Sequence, residues 1–170
     1  MANTELRSEL EKYLESLSIE TTCVDHPAVF TVEEMMPHLQ GVSGAVTKNL
    51  FLKDKKKKGL WLVSVRHDRQ VNLNDLAKKL GVGSGNLRFA EEAAMLEKLK
   101  VGQGCATALA LFCDKESSVK FVLDSDLVNR GHERVYFHPM TNEATMGVKP
   151  EDLLKFLKET GHEPILQDFD

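Results

Sequence analysis

The stretch GAVTKNLFLKDKKKKGLWLVSVR, residues 44–66, decides the fold of this chain. Two apolar runs of strand length flank a lysine-rich turn, which is the pattern of a β-hairpin. We predict strands over about 46–53 and 59–66. The pair Lys48-Asn49 stands where the first strand should already be apolar. It marks either the solvated mouth of the strand or a place where chemistry occurs.

Strand parity narrows this choice, because successive side chains of a regular strand point to opposite faces. Lys48 then shares a face with Leu50 and Leu52, whereas Asn49 shares the other face with Phe51 and Lys53. A lysine on a leucine face has to reach a cleft, or its charge is buried without a partner.

Length and composition limit what the chain can be. It has 170 residues, of which 42% are hydrophobic and 28% charged, as is typical of one soluble globular domain, and we predict a single domain over 1–170. No apolar run approaches the ~18 residues of a membrane span, and the amphipathic, acidic N-terminus is unlike a signal peptide. We therefore expect a cytoplasmic protein without a membrane partner. A net charge of −4 does not suggest a general nucleic-acid or DNA binder.

Cysteine and histidine spacing predicts neither a metal site nor a cofactor. The three cysteines form no CxxC motif, and the six histidines are scattered without ligand spacing. The familiar phosphate-binding, nucleophile-elbow and zinc-protease motifs are missing from the sequence.

The remaining segments alternate irregularly between helix and strand patterns. Leucines at intervals of three and four predict a first helix, and Thr31 with Glu34 forms a capping-box signature at a second helix start. We also predict a helix over 89–102 and a last helix that begins near Pro150. The runs ALALFCD and SVKFVLD, residues 108–114 and 118–124, predict a second hairpin. The fold class predicted is mixed α/β of the α+β type, with flanking helices on a mixed sheet.

Three further features leave a structural and a functional interpretation open. The run Lys55, Lys56, Lys57 and Lys58 is either a solvated loop or a contact to phosphates. The turn GQGCATAL, residues 102–109, is either a plain turn or a set of backbone donors for an oxyanion. On the strand pattern 132–139, alternation places His132 and His138 on one face with Arg134 and Tyr136.

Four motifs in register resemble one known family. They are DHPAVFTVEEM (25–35), GAVTKNLFLKD (44–54), the glycine turn, and HPMTNEATMGV (138–148). In order and spacing they are similar to the YbaK/prolyl-tRNA synthetase-associated editing domains, over nearly the whole chain. Within that superfamily the chain looks most like the free-standing alanyl-tRNA(Pro) deacylases of the ProXp-ala type. The resemblance implies a YbaK-like, largely antiparallel central sheet and hydrolysis of alanine from mischarged tRNA(Pro).

The resemblance also assigns residues. The essential lysine of the family falls on Lys48, with Asn49 beside it; a second family lysine falls on Lys53, and the late histidine on His138. The glycine turn near the scissile carbonyl corresponds to Gly104 through Ala108, where Ala108 replaces the usual proline. The implied partner is the acceptor end of tRNA(Pro) carrying alanine, and docking on a prolyl-tRNA synthetase stays open.

An aminoacyl ester is already activated, so the site needs to bind the 3′ end, hold an oxyanion and admit water. We hypothesise that Lys48 stabilises the carbonyl or the ribose, aided by N–H groups near Gly104. Asn49 and His138 would position the aminoacyl group or terminal adenosine, and Val29 and Phe30 would wall the amino-acid pocket. The alternatives are deacylation of cysteinyl- or seryl/threonyl-tRNA by the same architecture, and a non-catalytic module that binds tRNA or a synthetase.

Overall fold

The computed structural model describes residues 4–41, 44–55, 59–83, 85–102 and 104–169. Its α-helices are α1 (Thr4–Ser16), α2 (Val32–Met35), α3 (Leu73–Leu80), α4 (Glu92–Leu99), α5 (Asp126–Asn129) and α6 (Pro150–Glu159). Two 3-10 helices span Met36–Leu39 and Ala108–Cys113. The strands are β1 (Thr21–Asp25), β2 (Ala45–Asp54), β3 (Leu60–Arg66), β4 (Leu87–Phe89), β5 (Val119–Asp124), β6 (Val135–Phe137), β7 (Ala144–Val148) and β8 (Ile165–Gln167). Within these described ranges no helix has the length and apolar character that a membrane span requires.

The strands form one mixed sheet of eight strands in the order β1-β7-β6-β2-β3-β5-β8, with β4 paired to β2 outside this path. The pairs β1–β7, β6–β7, β2–β3 and β2–β4 are antiparallel, whereas β2–β6, β3–β5 and β5–β8 are parallel. The predicted mixed α/β class, with helices flanking a mixed sheet, is confirmed.

The hairpin that decides the fold is present as β2 and β3. Its register sets Lys48 opposite Val65 and Leu52 opposite Trp61. The two faces of β2 enter different cores. Phe51 packs in the main core, which α1, α4 and α6 cover, whereas Leu52 packs in a second cluster beneath α3. Successive side chains of β2 therefore alternate between two faces of the sheet, and both faces are buried at Phe51 and Leu52.

The helix ends follow the capping signals. The hydroxyl of Thr31 accepts a hydrogen bond from the Glu34 N–H at 3.1 Å, and the Glu34 carboxylate accepts one from the Phe30 N–H at 2.7 Å. This is the predicted capping box, with the glutamate reaching one residue further back than expected. Pro150 occupies the first turn of α6, as predicted.

The predicted second hairpin is wrong. Residues Ala108–Cys113 form a 3-10 helix instead of a strand, and β5 pairs with β3 in parallel. The side chain of Thr107 caps this helix by accepting from the Leu109 N–H at 3.2 Å. A short run that is buried on all sides looks alike as strand or helix in sequence, since periodicity is lost.

Two other boundaries also differ. The helix predicted over 89–102 is only α4, because Leu87–Phe89 pairs with β2 as a strand and Lys100 ends the helix in the left-handed region. The strand pattern 132–139 contributes only the three residues of β6 to the sheet. His132 instead bonds to Asp126 at 2.8 Å, so it does not join His138 on one polar face. Tyr136 is buried in a small cluster.

Candidate active site

A gap in the sheet places the backbone of β2 against a cavity. One edge of β2 pairs with β3 over residues 47–53, but its other edge pairs with β6 only at Ala45 and Val46, and with β4 only from Leu52 onward. Between these contacts, residues 47–51 have no strand partner on this edge among the described residues, and Thr47, Lys48 and Asn49 line a cavity there.

The hydrogen-bond alternation decides which residue faces that space. The main-chain N–H of Asp54 donates to the Gly59 carbonyl, and that of His67 donates to the Val46 carbonyl. The even-numbered residues of β2 therefore form their main-chain hydrogen bonds with β3. The odd-numbered residues therefore turn their N–H and C=O groups the other way. Phe51 uses its carbonyl to accept from Ala90 at 3.0 Å. Asn49 lies in the middle of the gap and directs its backbone N–H and C=O towards the cavity.

The cavity has a volume of about 430 Å³. It brings together five residues that the sequence predicted to act at one site: Phe30, Lys48, Asn49, Gly104 and His138. It adds Met35, Thr47 and Phe89, which the sequence did not single out, together with Thr31 of the capping box and Ala106 of the glycine turn. Phe89 is an exposed aromatic ring in a segment predicted as helix, so only its exposure identifies it.

Lys48 is half-buried in the wall of this cavity, on the same face of β2 as Leu50 and Leu52, as parity predicted. Its ammonium donates a hydrogen bond to the main-chain carbonyl of Arg69. The lysine therefore lies in a cleft with a polar partner, which resolves the cost of placing a charge on a leucine face.

The side-chain amide of Asn49 is held by a chain of hydrogen bonds. The buried hydroxyl of Ser64 donates to its Oδ1, and its Nδ2 donates to the hydroxyl of Thr47 at 3.3 Å. Thr47 in turn donates to the carbonyl of Tyr136 at 2.7 Å. These bonds fix the amide and link β3, β2 and β6 at the gap.

His138 presents a neutral imidazole with a defined tautomer. Its Nδ1 lies 2.9 Å from the Ala144 carbonyl, which only accepts, so Nδ1 carries the hydrogen and Nε2 is an acceptor. Burial lowers the pKa of His138 below the ordinary 6.5, and the nearby His26 adds to this, against the opposing effect of the Ala144 hydrogen bond. The ring of His26 packs edge-on at 6.5 Å between centroids. At neutral pH the cavity therefore contains an uncharged base beside the Lys48 cation.

A side chain at position 104 would collide with the residues around Gly104. Its φ is +84°, and a β-carbon there would lie 2.8 Å from Cδ1 of Phe30 and 3.3 Å from Nδ2 of Asn142. Asn142 is fully buried and ties down the Phe30 segment, since its Nδ2 donates to the Val29 carbonyl at 2.8 Å. The glycine turn and the start of α2 thus meet at the cavity.

Comparison with known proteins shows which family the chain belongs to. The family model of the aminoacyl-tRNA editing domain matches residues 26–156. The chain belongs to the aminoacyl-tRNA editing domain family. A prolyl-tRNA synthetase associated domain-containing protein 1 of Bos taurus is 72% identical over 170 residues, which cover 100% of this chain and 99% of the relative. The prolyl-tRNA editing protein ProX of Acetoanaerobium sticklandii is 35% identical over 150 residues, which cover 88% of each chain.

A solved structure supports the same fold for this editing domain. A candidate trans-editing enzyme for prolyl tRNA synthetase superposes with a TM-score of 0.70 at 20% identity, covering 97% of this chain and 98% of that one. The superposition shows that the mixed sheet and the flanking helices are arranged alike in both.

Two of the predicted site residues lie behind the cavity of the editing domain. Val29 is 4% exposed and packs in a small cluster with Met35 and Tyr136, so in the described part of the chain Phe30 alone of the predicted wall pair lines the cavity. Ala108 is fully buried as the first residue of its 3-10 helix. Proline suits such a first position because its missing N–H is not needed there. The alanine therefore keeps the helix start, and the correction is that Ala108 supports the turn without lining the cavity.

Of the lysines predicted to meet tRNA, Lys53 and Lys55 lie at the other end of β2. Lys53 forms an ion pair with Glu91, and Lys55 is exposed at the tip of the hairpin. Lys56, Lys57 and Lys58 lie outside the described residues.

Proposed function

We propose that this editing domain is an aminoacyl-tRNA deacylase that removes alanine from mischarged tRNA(Pro). The observation that supports this most is the convergence, at one gap in the sheet, of the Lys48 ammonium, the Asn49 main chain and the neutral His138. An ester carbonyl placed there meets a cation, a backbone donor and a base in one cavity. Such a set suffices for an activated ester without a nucleophilic side chain.

In the proposed reaction, a water oxygen attacks the ester carbonyl and negative charge develops on the carbonyl oxygen. The Lys48 ammonium and the N–H groups of Asn49 and the Gly104 turn stabilise that charge. The bond between the carbonyl carbon and the ribose oxygen then breaks, the ribose oxygen takes one proton of the attacking water, and alanine leaves as its carboxylate while the second proton passes to solvent. His138 holds the α-amino group or the attacking water through Nε2, and the vicinal ribose hydroxyl assists the deprotonation of water.

We propose that alanine is selected by exclusion of larger groups. Proline is the larger side chain, and a pocket gains only ~1–3 kcal/mol from one more methylene, in favour of proline. Selection therefore requires a wall that clashes with the ring. Phe30 lines the cavity, and the glycine turn packs behind its ring.

The terminal nucleoside would occupy a second cavity of about 380 Å³. This cavity shares Asn49, Phe89, Gly104 and Ala106 with the first, so the two form one continuous cleft. The ester joins alanine covalently to the terminal ribose. With alanine in the first cavity, the nucleoside would therefore extend along the cleft into the second. Phe89 is 62% exposed between the two cavities and offers a stacking surface for the base.

Lys55 and the lysines after it would contact phosphates of the acceptor stem, at the tip of the hairpin that carries Lys48. Prolyl-tRNA synthetase is a further proposed partner, because the relatives are named for it. A cytoplasmic location follows as part of this proposal.

The test is a deacylation panel in which alanine, cysteine, serine and proline are each esterified to tRNA(Pro). We expect rapid hydrolysis of the alanyl ester and little of the prolyl ester. Preference for cysteine or serine would assign the sibling activity, and hydrolysis of none would favour a binding module. Lys48→Ala should lower the alanyl rate at least about 100-fold. The matched control is Lys120→Ala, which removes an exposed lysine over the ring of Trp61; wild-type turnover by folded Lys48→Ala would reject the catalytic role.

A further inference from the structure

The ammonium of Lys48 is held by a residue that no motif singled out. Its acceptor is the main-chain carbonyl of Arg69, 21 residues along the chain. Arg69 lies in the loop between β3 and α3. The position of a carbonyl depends on what holds its loop, so the contacts of this loop decide where the Lys48 cation lies.

The loop is anchored by a buried ion pair. Nε of Arg69 donates to Oδ2 of Asp124 at 2.9 Å and its NH2 reaches Oδ1 at 3.4 Å. The Arg69 side chain is 9% exposed and that of Asp124 is 0% exposed. Asp126 lies 3.7 Å from the same guanidinium.

The backbone of the loop is fixed as well. The N–H of Arg69 donates to the Arg66 carbonyl at 3.0 Å, and the N–H of His67 donates to the Val46 carbonyl at 2.8 Å. Asp124 also accepts a hydrogen bond from the Arg66 N–H at 3.1 Å. One carboxylate therefore binds both Arg66 and Arg69, the two ends of the turn at 66–69. The Arg69 carbonyl is therefore attached to the end of β5 by a forked, charge-assisted contact.

A lysine side chain needs such a restraint because its four-carbon stem is flexible and its ammonium has three rotatable donors. The Arg69 carbonyl takes one donor and leaves two for a substrate. A buried ion pair is weak evidence for stability, but it defines one geometry.

We propose that Arg69, clamped by Asp124, is the positioning residue that holds the Lys48 ammonium where it stabilises the negative charge developing on the ester carbonyl. This rests on the proposed deacylase function. Arg69 acts through its carbonyl and does not touch the substrate. Removing the clamp shifts the carbonyl, and a displacement on the scale of an ångström costs up to about 100-fold in rate.

The experiment compares Arg69→Lys with the matched control Arg66→Lys. Arg66 also pairs with the carboxylates that surround Arg69, since its NH1 lies 2.9 Å from Oδ2 of Asp126. We expect Arg69→Lys to lower kcat by about 10- to 100-fold with KM for alanyl-tRNA(Pro) changed less than about twofold. Arg66→Lys should retain at least half of the wild-type kcat. If Arg69→Lys does not fold, Asp124→Asn tests the same clamp while keeping its shape and one acceptor.

A double-mutant cycle separates positioning from general loss of structure. In the Lys48→Ala background, Arg69→Lys should leave the residual rate unchanged, because the group that it positions is gone. An equal loss of kcat in both backgrounds, or an unchanged kcat in folded Arg69→Lys, would overturn the proposal.

A second readout does not depend on activity. Lys48 should be acetylated severalfold faster by an amine-selective reagent in Arg69→Lys than in wild type, measured by mass spectrometry, because its ammonium has lost a fixed partner. Faster labelling in a protein that hydrolyses none of the panel esters would reject the deacylase function and keep the clamp. Unchanged labelling would reject the clamp.

Discussion

The ring of Phe30 lies directly against the α-carbon of Gly104, where a β-carbon would be 2.8 Å from Cδ1 of the ring. The contact joins two distant motifs, because Phe30 precedes α2 and Gly104 precedes the second 3-10 helix. It also holds an aromatic ring at the cavity with 62% of its surface exposed. A glycine is therefore needed for the shape of the cavity as well as for its own backbone.

Gly104→Ala should displace the Phe30 ring and relax the choice between alanine and proline. The substitution also costs about 1–2 kcal/mol, because alanine is strained at a positive φ. The matched control is Gly131→Ala, at φ +72° with nothing within 4 Å of the added carbon. The melting temperature should fall in both variants because of the backbone strain, and further in Gly104→Ala because of the collision with Phe30. Only Gly104→Ala should change the ratio of alanyl to prolyl hydrolysis. An unchanged ratio would show that the contact does not shape the pocket.

Phe30→Ala should increase hydrolysis of prolyl-tRNA(Pro) relative to alanyl-tRNA(Pro), because it removes a wall of the cavity. Since Phe30 is exposed, we expect a stability loss of about 1 kcal/mol or less. Val29→Ala is the control: Val29 is 4% exposed behind the wall, so it should lose about 2 kcal/mol and keep the wild-type ratio. The measurements are the two hydrolysis rates, with circular dichroism as the test of folding. If Val29→Ala alone relaxes the ratio, the wall lies elsewhere.

Phe89→Ala should raise KM for charged tRNA about tenfold, in line with the loss of one base stacked on an aromatic ring. Phe89→Trp should restore it. Hydrolysis of a simple alanyl ester that has no nucleobase should be the same in all three proteins. An equal loss with the simple ester would mean that Phe89 acts on the aminoacyl group or on the fold.

The pH dependence of hydrolysis should report His138. Because burial lowers its pKa from 6.5, neutral His138 persists below that value, and kcat/KM should fall only at more acidic pH. The unfolded chain binds the proton more readily, so this group makes the protein less stable as pH falls below about 6.5. The pH–rate profile of wild type should be compared with that of His138→Gln. A wild-type inflection above 6.5 would contradict a buried neutral base.

Replacing Lys55, Lys56, Lys57 and Lys58 by glutamine should weaken tRNA binding and flatten its dependence on salt. The binding constant falls with salt because bound lysines release counterions. Each lost phosphate contact should therefore make the slope of log K against log salt less steep by about 0.9. The rate at saturating tRNA should change little. Glutamine at Lys155 and Lys158 on α6 provides the control. An unchanged slope would leave the run as a solvated loop.

Local sequence determined the elements whose signals are local. The β2–β3 hairpin, α1, the Thr31 capping box and the Pro150 start of α6 follow from alternation, helical spacing and capping chemistry. These features depend on residues within a few positions of one another, so the pattern contains the physical cause. The parity of β2 likewise placed Lys48 correctly on the face of Leu50 and Leu52.

Segments whose conformation depends on burial were not predictable in this way. Ala108–Cys113 reads as a strand and is helical, while β4 and β8 are short and gain their pairing only from partners far along the chain. The resemblance to editing domains indicated Lys48, Asn49, Gly104 and His138. The predictions also placed Val29 and Ala108 at the site, whereas both are buried behind the cavity.

The tertiary structure alone decided the site. The gap that exposes Asn49 exists because β2 meets β6 at residues 45–46, with partners at 135–136, and β4 at 52–54, with partners at 87–89. The partner of Lys48 is a carbonyl whose position depends on a carboxylate 55 residues further along the chain from Arg69. No local pattern encodes such distances, because sheet register and buried ion pairs are fixed only when separate segments pack together.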